Sequence, residues 1–554
     1  MKRYLQELVQ SALDNAKTAG DLTLETPPEV VIENPKDESM GDFSTTVAMG
    51  LARAERKAPK KIAELICKHF PTNNGELASV EIAGPGFINF RMSPSFFQKR
   101  LLDMASQGEN FGSSDAGKNK KILLEYVSAN PTGPLHIGHG RGAAVGNCLS
   151  LLLKRAGFDV KTEYYVNDVG NQMNNLGLSA LYRYRELQGV EAEFPENLYQ
   201  GDYIFDIAKE IIEQKGDAFL NQSDEEALPF FRSYAGDSIL DGINKDLKNF
   251  RVEFDRWFKE GTLYEDGRVE KAVDWLREKG FVYEKDGAVW LKSSAFQDEK
   301  DRVIVKQSGE RTYFCSDIAY HKDKIDRGFE KIIDIWGADH HGYVPRMQAV
   351  LEAQGYDSNV FKVLLVQFVA LKRGEEKVSM STRSGEFVTL SDVLDEVGVD
   401  AARYFFLMRS SDTHLDFDLE LAKKETPENP VFYIQYAHAR ICSVFAAAEE
   451  KGIKVPDRDS VDLSPIEEAE AYVLIKKILS LPEVIEKSAL ALEVHRLPHY
   501  LQDLVSDFHS YYAKHRVVGD DVALSQARLF LLDCVKTTIA NGLSVLGVSA
   551  PVRM

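Results

Sequence analysis

Cysteine is scarce in this chain of 554 residues, and the five cysteines lie far apart: Cys67, Cys148, Cys315, Cys442 and Cys534. Their number is odd and no Cys-x-x-C pair occurs, which argues against both a disulfide framework and a cysteine-rich zinc site. We therefore expect reduced thiols, no zinc and a cytoplasmic protein.

Long apolar runs are also lacking. No uninterrupted apolar stretch approaches the roughly 20 residues that a membrane-spanning helix needs. The first twenty residues form an amphipathic pattern instead of the apolar centre of a signal peptide. The sequence therefore predicts no membrane partner.

Basic residues are outnumbered, with 67 Lys and Arg against 86 Asp and Glu and a net charge of −19. Such a balance argues at first against a nucleic-acid partner, because polyanions bind basic surfaces. The charge is unevenly distributed, however, since residues 1–118 carry only −2 and residues 430–554 only −3. Local basic patches near both ends remain compatible with nucleic-acid binding that is sensitive to salt.

The length exceeds what one hydrophobic core supports and predicts several domains. Residues 1–110 have the pattern of a small α+β unit. Residues 119–425 alternate short apolar strands with helices, which predicts an α/β region built on a parallel sheet, with an insertion at about 183–307. Residues 430–554 are helical in pattern, and a capping-box motif at 464–467 predicts a helix start there.

Residues 125–146 carry the strongest chemical pattern. They follow a predicted buried strand at 122–127 and lead into a helix. His136 and His139 lie three residues apart and so share a face near the amino end of that helix. Free N–H groups and the helix dipole favour a phosphate at that end, and two imidazoles add further donors.

Gly138, Gly142 and Gly146 recur every four residues and leave one face of this helix bare. A planar base could approach that face closely. The alternative is a glycine stripe for packing with two incidental histidines. The combination of histidines, a proline-containing turn and glycines directly after a strand favours the ligand-binding interpretation.

The tetrapeptide HIGH at 136–139 matches the signature of class I aminoacyl-tRNA synthetases, which activate an amino acid with ATP and load it onto tRNA. The surrounding string, with Glu125, Ser128, Asn130 and Pro131, resembles the form of that signature in arginyl-tRNA synthetases. Further matches extend the resemblance over nearly the whole chain: MGDF at 40–43, NPVFY at 429–433, QYAHAR at 435–440 and the terminal Met554.

The resemblance implies a Rossmann-like catalytic domain at 119–425, an added tRNA-binding domain at 1–110 and an α-helical anticodon-binding domain at 430–554. It also implies a second signature loop that neutralises ATP phosphates. In the candidate KVSMSTRSG at 377–385, only Met380 and Ser381 match in place. Candidates for the phosphate-binding cation are Lys120, Lys121, Lys377 and Arg383. We favour Arg383, although the loop taken alone would be a basic surface turn.

Gly337, Asp339 and His340 directly follow a predicted strand at 332–336. A turn at a strand's carboxyl end can bring backbone and carboxylate to a ribose, and the resemblance implies adenosine contacts there. A metal site is the alternative, which we discount because the side chains are adjacent in sequence. The implied ATP-binding set is His136, Gly138, His139, Gly337, Asp339, His340, Met380 and Ser381.

A guanidinium group is best complemented by carboxylates. Glu125 lies at the end of a strand. Asp317 lies four residues after Tyr313, so Tyr313 and Asp317 would share a helical face if that stretch is helical. The resemblance implies that Glu125, Asn130, Tyr313 and Asp317 bind the substrate arginine. Asn167 and Asp168 follow another strand and are further candidates for the pocket wall.

These features predict ATP-dependent attachment of L-arginine to its tRNA through an arginyl adenylate. His136, His139 and Arg383 would be the catalytic residues, Mg²⁺ would accompany ATP, and the chain itself would hold no metal. We expect a monomer. Tyr511, Lys514 and Arg516 mix an aromatic ring with cations and could bind an unstacked tRNA loop, but Tyr511 could equally belong to a helical core.

Three other functions remain open on the sequence. Another class I synthetase would share the HIGH signature, although a cysteinyl enzyme would need zinc ligands that the scattered cysteines do not supply. A small-molecule adenylyltransferase would not need the long helical region at the C-terminus. A catalytically silent RNA-binding relative would not need to keep His136, His139, Asn130 and Asp317.

Overall fold

A computed structural model describes residues 1–25, 29–35, 37–71, 75–190, 193–296, 298–374, 376–377 and 388–554. Met380, Ser381 and Arg383, which the sequence places in the second signature loop, lie outside the described residues.

The N-terminal region is an α+β unit, as predicted. Its first helix is amphipathic and buries Leu5, Val9 and Leu13. Its elements are α1 (Lys2–Thr18), β1 (Ile32–Glu33), β2 (Phe43–Thr45), α2 (Val47–Glu55), α3 (Pro59–Lys68), β3 (Leu77–Ala83), β4 (Phe87–Met92) and α4 (Pro94–Gln107). The strands form an antiparallel sheet in the order β1-β2-β4-β3.

The central region alternates strands and helices. Its first half contains β5 (Lys121–Glu125), α5 (Ile137–Arg155), β6 (Asp159–Val166), α6 (Asn171–Leu187), α7 (Asp202–Lys215), α8 (Asp224–Asn249), β7 (Arg256–Lys259), α9 (Gly261–Glu265), α10 (Arg268–Glu278), β8 (Val282–Lys285), β9 (Ala288–Leu291) and β10 (Arg302–Val305). Its second half contains α11 (Tyr313–Asp326), β11 (Lys331–Gly337), α12 (Val344–Ala353), β12 (Phe361–Val366), β13 (Val369–Arg373), β14 (Glu376–Lys377), α13 (Leu390–Val397), α14 (Val399–Leu407), β15 (Leu415–Asp418) and α15 (Leu419–Lys423).

A parallel sheet with the order β12-β11-β5-β6-β7 organises this region. The chain builds outward from β5 through β6 to β7 and then returns to the other side of β5 with β11. The order therefore reverses between β5 and β11, and ligands in open α/β sheets bind at such a reversal, beyond the carboxyl ends of the strands. Ile122 and Leu124 belong to one buried cluster and Leu123 to another, so both faces of the sheet are covered.

The predicted insertion at 183–307 needs a correction. β7 lies inside that segment, yet it pairs with β6 and forms the edge of the parallel sheet. The prediction missed this strand because its four residues, RWFK, begin and end with cations and lack the apolar run of an interior strand. Two smaller sheets accompany the main one, in the orders β10-β9-β8 and β14-β13-β15.

The C-terminal region is a helical bundle, as predicted. It consists of α16 (Pro430–Glu450), α17 (Ala469–Leu479), α18 (Leu481–Ala491), α19 (Arg496–Lys514) and α20 (Val522–Leu546). The predicted helix start at 464–467 is wrong, because the Ser464 N–H and hydroxyl both donate to Asp462 in a turn. The next helix begins only at Ala469.

The final helix is the one described helix that has the length and apolar composition of a membrane span. It contains no long uninterrupted apolar run, because polar residues such as Ser525 and Thr538 interrupt its sequence. Its most apolar window has a mean hydropathy of 1.4 and is 72% buried inside the protein. The helix is therefore a core element of the bundle.

The N-terminal unit packs against this bundle. Lys476 of α17 forms an ion pair with Asp42 at 2.5 Å, and the Asp42 carboxylate also accepts the Met92 N–H. Gly41 has a φ of +122°, and a Cβ there would lie 2.8 Å from the carbonyl oxygen of Phe90. The MGDF segment thus joins the two terminal regions.

Candidate active site

A cavity of about 1160 Å³ opens at the carboxyl ends of the parallel strands. Its lining includes most of the described residues that the sequence singled out: Asn130, His136, Gly138, His139, Asn167, Tyr313, Gly337, Asp339 and His340. These residues come from the segments that follow β5 and β6, from the end of β11 and the segment after it, from the start of α5 and from the first turn of α11. The sheet topology therefore brings together segments that are up to about 200 residues apart in the chain.

A strained turn connects β5 to the cavity. Val127 and Ser128 have φ values of 69° and 41°, a region that β-branched residues rarely adopt. The Ser128 N–H donates to the Tyr126 carbonyl at 3.0 Å, which closes a tight γ-turn around Val127. The turn sends the following residues, including Asn130, along the cavity wall, where the Asn130 amide donates to Gln172 at 2.8 Å.

The two histidines of the HIGH segment cap α5. Nδ1 of His136 accepts the Gly138 N–H at 3.1 Å, and Nδ1 of His139 accepts the His136 N–H at 3.3 Å. Their rings stack with centroids 3.7 Å apart. Because Nδ1 is an acceptor in each ring, a neutral imidazole carries its proton on Nε2.

Both histidines are held in the neutral form. Burial lowers the pKa of His136, and burial together with the neighbouring His136 lowers the pKa of His139 to about 3. The amino end of α5 therefore offers two uncharged Nε2–H donors in addition to the helix dipole. This arrangement suits an anion, and phosphate above all.

The glycine stripe serves both of the purposes that the sequence left open. Nothing lies within 4 Å of a Cβ placed on Gly142, and this glycine lines the cavity. A Cβ on Gly146, by contrast, would overlap the buried ring of Tyr126. The stripe is thus open toward the cavity at one turn and packed against the sheet at the next.

The opposite side of the cavity is acidic. α11 is helical as expected, and Tyr313 lines the cavity from its first turn while remaining 56% exposed. Asp317 lies one turn further along, is buried without itself lining the cavity, and accepts a hydrogen bond from the Tyr343 hydroxyl. Burial raises the pKa of Asp317 to about 6.

Glu260 is a second acidic residue at this end, and the sequence analysis missed it. It directly follows β7 and lines the cavity, although its side chain is almost wholly buried. Burial, together with the nearby Asp317, raises the pKa of Glu260 to about 7. The side-chain nitrogen of Asn167 donates to Oε2 of Glu260 at 2.8 Å.

Glu125, like Asp317, does not line the cavity. It is buried beneath the cavity, and its Oε2 lies 2.5 Å from Nζ of Lys324. Burial raises the pKa of Glu125, and Lys324 only partly offsets this. Glu125 is therefore either paired or protonated, and no free carboxylate faces the cavity at this residue.

Of the four candidate phosphate-binding cations, two are excluded by the strand direction. Lys120 and Lys121 stand at the amino end of β5, whereas the cavity lies beyond its carboxyl end. Lys377 is exposed at the end of β14, and Arg383 lies outside the described residues. Asp168, the second expected wall residue, accepts the Gly261 N–H at 2.8 Å instead of lining the cavity.

Three family models match this chain. They are described as an arginyl-tRNA synthetase N-terminal domain, matching residues 3–92, a class I (R) tRNA synthetase catalytic domain, matching 101–417, and a DALR anticodon-binding domain, matching 434–554. An arginine–tRNA ligase of Citrifermentans bemidjiense is 50% identical over the full length of both chains. That of Bacillus subtilis is 48% identical over all of this chain and 99% of its own. The chain belongs to the arginyl-tRNA synthetases.

A solved arginyl-tRNA synthetase has the same fold. The Thermus thermophilus enzyme superimposes with a TM-score of 0.77 over the full length of both chains, at 20% sequence identity. The parallel sheet, the N-terminal unit and the helical C-terminal region thus form the architecture of an arginyl-tRNA synthetase.

The C-terminal residues suggested for RNA binding divide into two groups in this arginyl-tRNA synthetase. Tyr511 is fully buried, so its ring belongs to the helical core and cannot stack on a nucleotide. Lys514 and Arg516 are exposed, and Lys514 forms an ion pair with Glu470 at 2.8 Å. The periodicity of the apolar residues in α19 was the signal that favoured a core position for Tyr511.

Proposed function

We propose that the cavity is where this arginine–tRNA ligase activates arginine with ATP and then transfers the arginyl group to tRNA. The observation that carries the proposal is the pairing of two opposite ends in one cavity. One end presents neutral imidazole donors at a helix terminus, which suit phosphate, and the other presents buried carboxyl groups, which suit a guanidinium.

In the first step, a carboxylate oxygen of arginine attacks the α-phosphorus of ATP in line, and the bond to the β-phosphate oxygen breaks. Pyrophosphate leaves and arginyl adenylate stays bound. Nε2–H groups of His136 and His139 donate to the phosphate oxygens as charge develops on them. Catalysis thus consists mainly of positioning and electrostatic stabilisation, and Mg²⁺ enters with ATP.

In the second step, a ribose hydroxyl of the terminal tRNA adenosine attacks the acyl carbon of the adenylate. An ester bond to tRNA forms, the bond from the acyl carbon to the phosphate oxygen breaks, and AMP leaves. Gly337, Asp339 and His340, at the end of β11, contact the adenosine of ATP. Met380, Ser381 and Arg383 complete the ATP site, with Arg383 as the phosphate-binding cation.

The guanidinium of arginine lies between Asp317 and Glu260, beside the ring of Tyr313. Asn130 contacts the amino-acid end of the substrate. A neutral amino acid is rejected because it would leave buried carboxyl groups without a cation. This pocket departs from the sequence-based set in one respect, since Glu260 replaces Glu125 as the second carboxylate.

The terminal regions bind tRNA. Residues 1–110 contact the body of the tRNA, and residues 430–554 bind its anticodon region, with Lys514 and Arg516 contributing local positive charge. The protein acts as a monomer in the cytoplasm.

The test is an ATP-dependent charging assay with each of the twenty amino acids, using the full chain and total tRNA. We expect charging with arginine alone. Charging with a different amino acid would identify another class I synthetase. Adenylate formation on a small molecule without tRNA charging would identify an adenylyltransferase, and RNA binding without either reaction would identify a silent relative.

A further inference from the structure

A row of acidic side chains crosses the centre of the parallel sheet. Asp334 of β11 is the register neighbour of Glu125 of β5, which is in turn the neighbour of Glu163 of β6. All three are buried. Side chains at equivalent positions of neighbouring parallel strands point to the same face, so three carboxyl groups lie side by side in the core. Such a row is strongly unfavourable unless each member has a partner.

Helix α11 and the residue that caps its end, Arg327, supply these partners along one face. The Tyr320 hydroxyl and the Arg327 guanidinium donate to Glu163 at 2.7 to 2.8 Å. His321 lies 3.1 Å from Asp334. The centre of the row is held by Lys324, whose side chain is fully buried.

Lys324 bridges two strands. Its Nζ donates to Glu125 at 2.5 Å and to the two Asp334 oxygens at 2.8 and 2.9 Å. Burial alone lowers the pKa of Lys324, but Asp334 and Glu125 raise it by more, so the ammonium stays charged. Lys324 therefore connects α11 to both strands that flank the point where the sheet order reverses.

Two parts of the cavity depend on this bridge. Asp317 lies two turns before Lys324 on the same helix, so the position of Lys324 over the strands determines how far Asp317 reaches toward the cavity. On the strand side, the other oxygen of Glu125 accepts the Ser128 hydroxyl at 2.9 Å. That hydroxyl accepts the Tyr165 N–H at 3.1 Å, which holds the strained turn that leads to Asn130.

We propose that Lys324 is a positioning residue for arginine recognition, which sets Asp317 and the turn before Asn130 at their correct separation through its bridge to Glu125 and Asp334. This inference rests on the proposed function. Lys324 does not touch the substrate. It acts by fixing the helix that carries one substrate-binding segment to the strand that carries the other.

The main variant is Lys324→Met, which leaves two buried carboxyl groups without their cation and so lowers stability as well as function. The double variant Lys324→Met/Asp334→Asn removes one of these acids, and Glu125 can take up a proton because burial raises its pKa. The double variant is therefore closer to charge balance while still lacking the bridge. Lys322→Met is the matched control, since Lys322 lies on the same helix but pairs with Asp326 near the surface.

The measurements are the KM for arginine and the KM for ATP in the charging reaction of the full chain, together with the melting temperature. We expect Lys324→Met to raise the KM for arginine at least tenfold and the KM for ATP less than threefold. In the double variant the melting temperature should recover toward that of the starting protein, whereas the KM for arginine should stay at least tenfold raised. Lys322→Met should change neither KM by more than twofold.

Two results would overturn the proposal. If the KM for arginine recovers together with the melting temperature in the double variant, Lys324 has only a structural role. If the two KM values rise in parallel, it does not act on arginine recognition. Should Lys324→Met fail to fold, the comparison of the double variant with the starting protein still decides. Failure of the proposed function is distinguishable, because the starting protein itself would then not charge tRNA with arginine.

Discussion

The two ends of the cavity handle charge in opposite ways. At the amino end of α5, burial keeps His136 and His139 neutral, and the pKa of His139 falls to about 3. At the other end, burial raises the pKa of Asp317 to about 6 and that of Glu260 to about 7. The histidine end thus presents donors without a net charge, and the acidic end presents acids that ionise close to neutral pH.

The different protonation states of the two ends explain how one cavity can accept both an anion and a cation. Fixed opposite charges at the two ends would attract each other and would each require a counter-ion in the empty site. Neutral imidazoles leave the histidine end uncharged, and the raised pKa values of Asp317 and Glu260 reduce the negative charge of the acidic end near neutral pH. The acidic end ionises fully when a guanidinium compensates it, whereas the imidazoles stay neutral and act as hydrogen-bond donors.

Breaking the acidic end should have the largest effect. Asp317→Asn keeps the shape of the side chain but removes the charge that pairs with the guanidinium. Removing one partner of a buried ion pair costs about 3–5 kcal/mol, so kcat/KM for arginine should fall by roughly 10²- to 4 × 10³-fold. The KM for ATP should change less than threefold.

Steady-state kinetics with arginine and ATP varied in turn would measure this split. Asp323→Asn is a suitable control, because Asp323 lies on the same helix but pairs with Arg268 at 2.8 Å. Equal losses for arginine and ATP after Asp317→Asn would mean that Asp317 is not the guanidinium partner.

A substitution at the histidine end should lower the rate less, and it should act on the reaction with ATP instead of on arginine binding. His136→Asn keeps an N-cap side chain that can accept the Gly138 N–H but removes the Nε2–H donor. Loss of one donor to a developing charge typically costs about 10²-fold or more in rate, and we expect a fall of roughly 10- to 10²-fold in kcat because His139 remains.

Pyrophosphate exchange would report the activation step, and thermal unfolding would show whether the cap survives. A KM for arginine within threefold of the starting value would separate the two ends. A loss of stability that matches the loss of rate would mean that His136 serves mainly as a helix cap.

A change of pH should also distinguish the acidic end of the cavity from the histidine end. Its effect on the KM for arginine should be the smallest of the effects predicted here. Glu260 and Asp317 pair with arginine only when ionised, so affinity for arginine is full well above pH 7 and is lost as the pH falls through about 7 and 6. Between pH 8 and pH 6 the KM for arginine should rise about tenfold. His139, with a pKa of about 3, is neutral throughout this range, and burial lowers the pKa of His136 as well, so the KM for ATP should change much less than the KM for arginine. Glu260→Gln should flatten the rise, and a rise that persists in this variant would point to another group.

The sequence predicted the parts of this structure that depend on local pattern. The helix after the HIGH segment and the helical face shared by Tyr313 and Asp317 both follow from periodicity and spacing. The predicted helix start at 464–467 comes before the observed start of α17. A capping motif shows which side chains can cap a helix, but it does not by itself make a helix begin there. Asp462 satisfied the same donors in a turn.

Contacts between distant segments were beyond such patterns. Lys324 contacts Glu125, which is 199 positions away in the chain, and no sequence pattern near either residue predicts this contact. Glu260 had a detectable signal, since it follows a strand that ends in the site, but that strand was too short and too charged to be recognised. The role of Glu125 in binding arginine stays a prediction, and its partner Lys324, which comes from elsewhere in the chain, could not be read from the local sequence.

The family, the order of the three regions along the chain and the side chains available to bind phosphate and arginine could all be predicted from the sequence, since these depend on residue identity and local spacing. Only the tertiary structure decided which acids face the cavity, which tyrosine is buried and which cation holds the acidic row of the sheet. The physical reason is that burial and pairing control the charge of a side chain, and both depend on neighbours that the chain brings together only by folding.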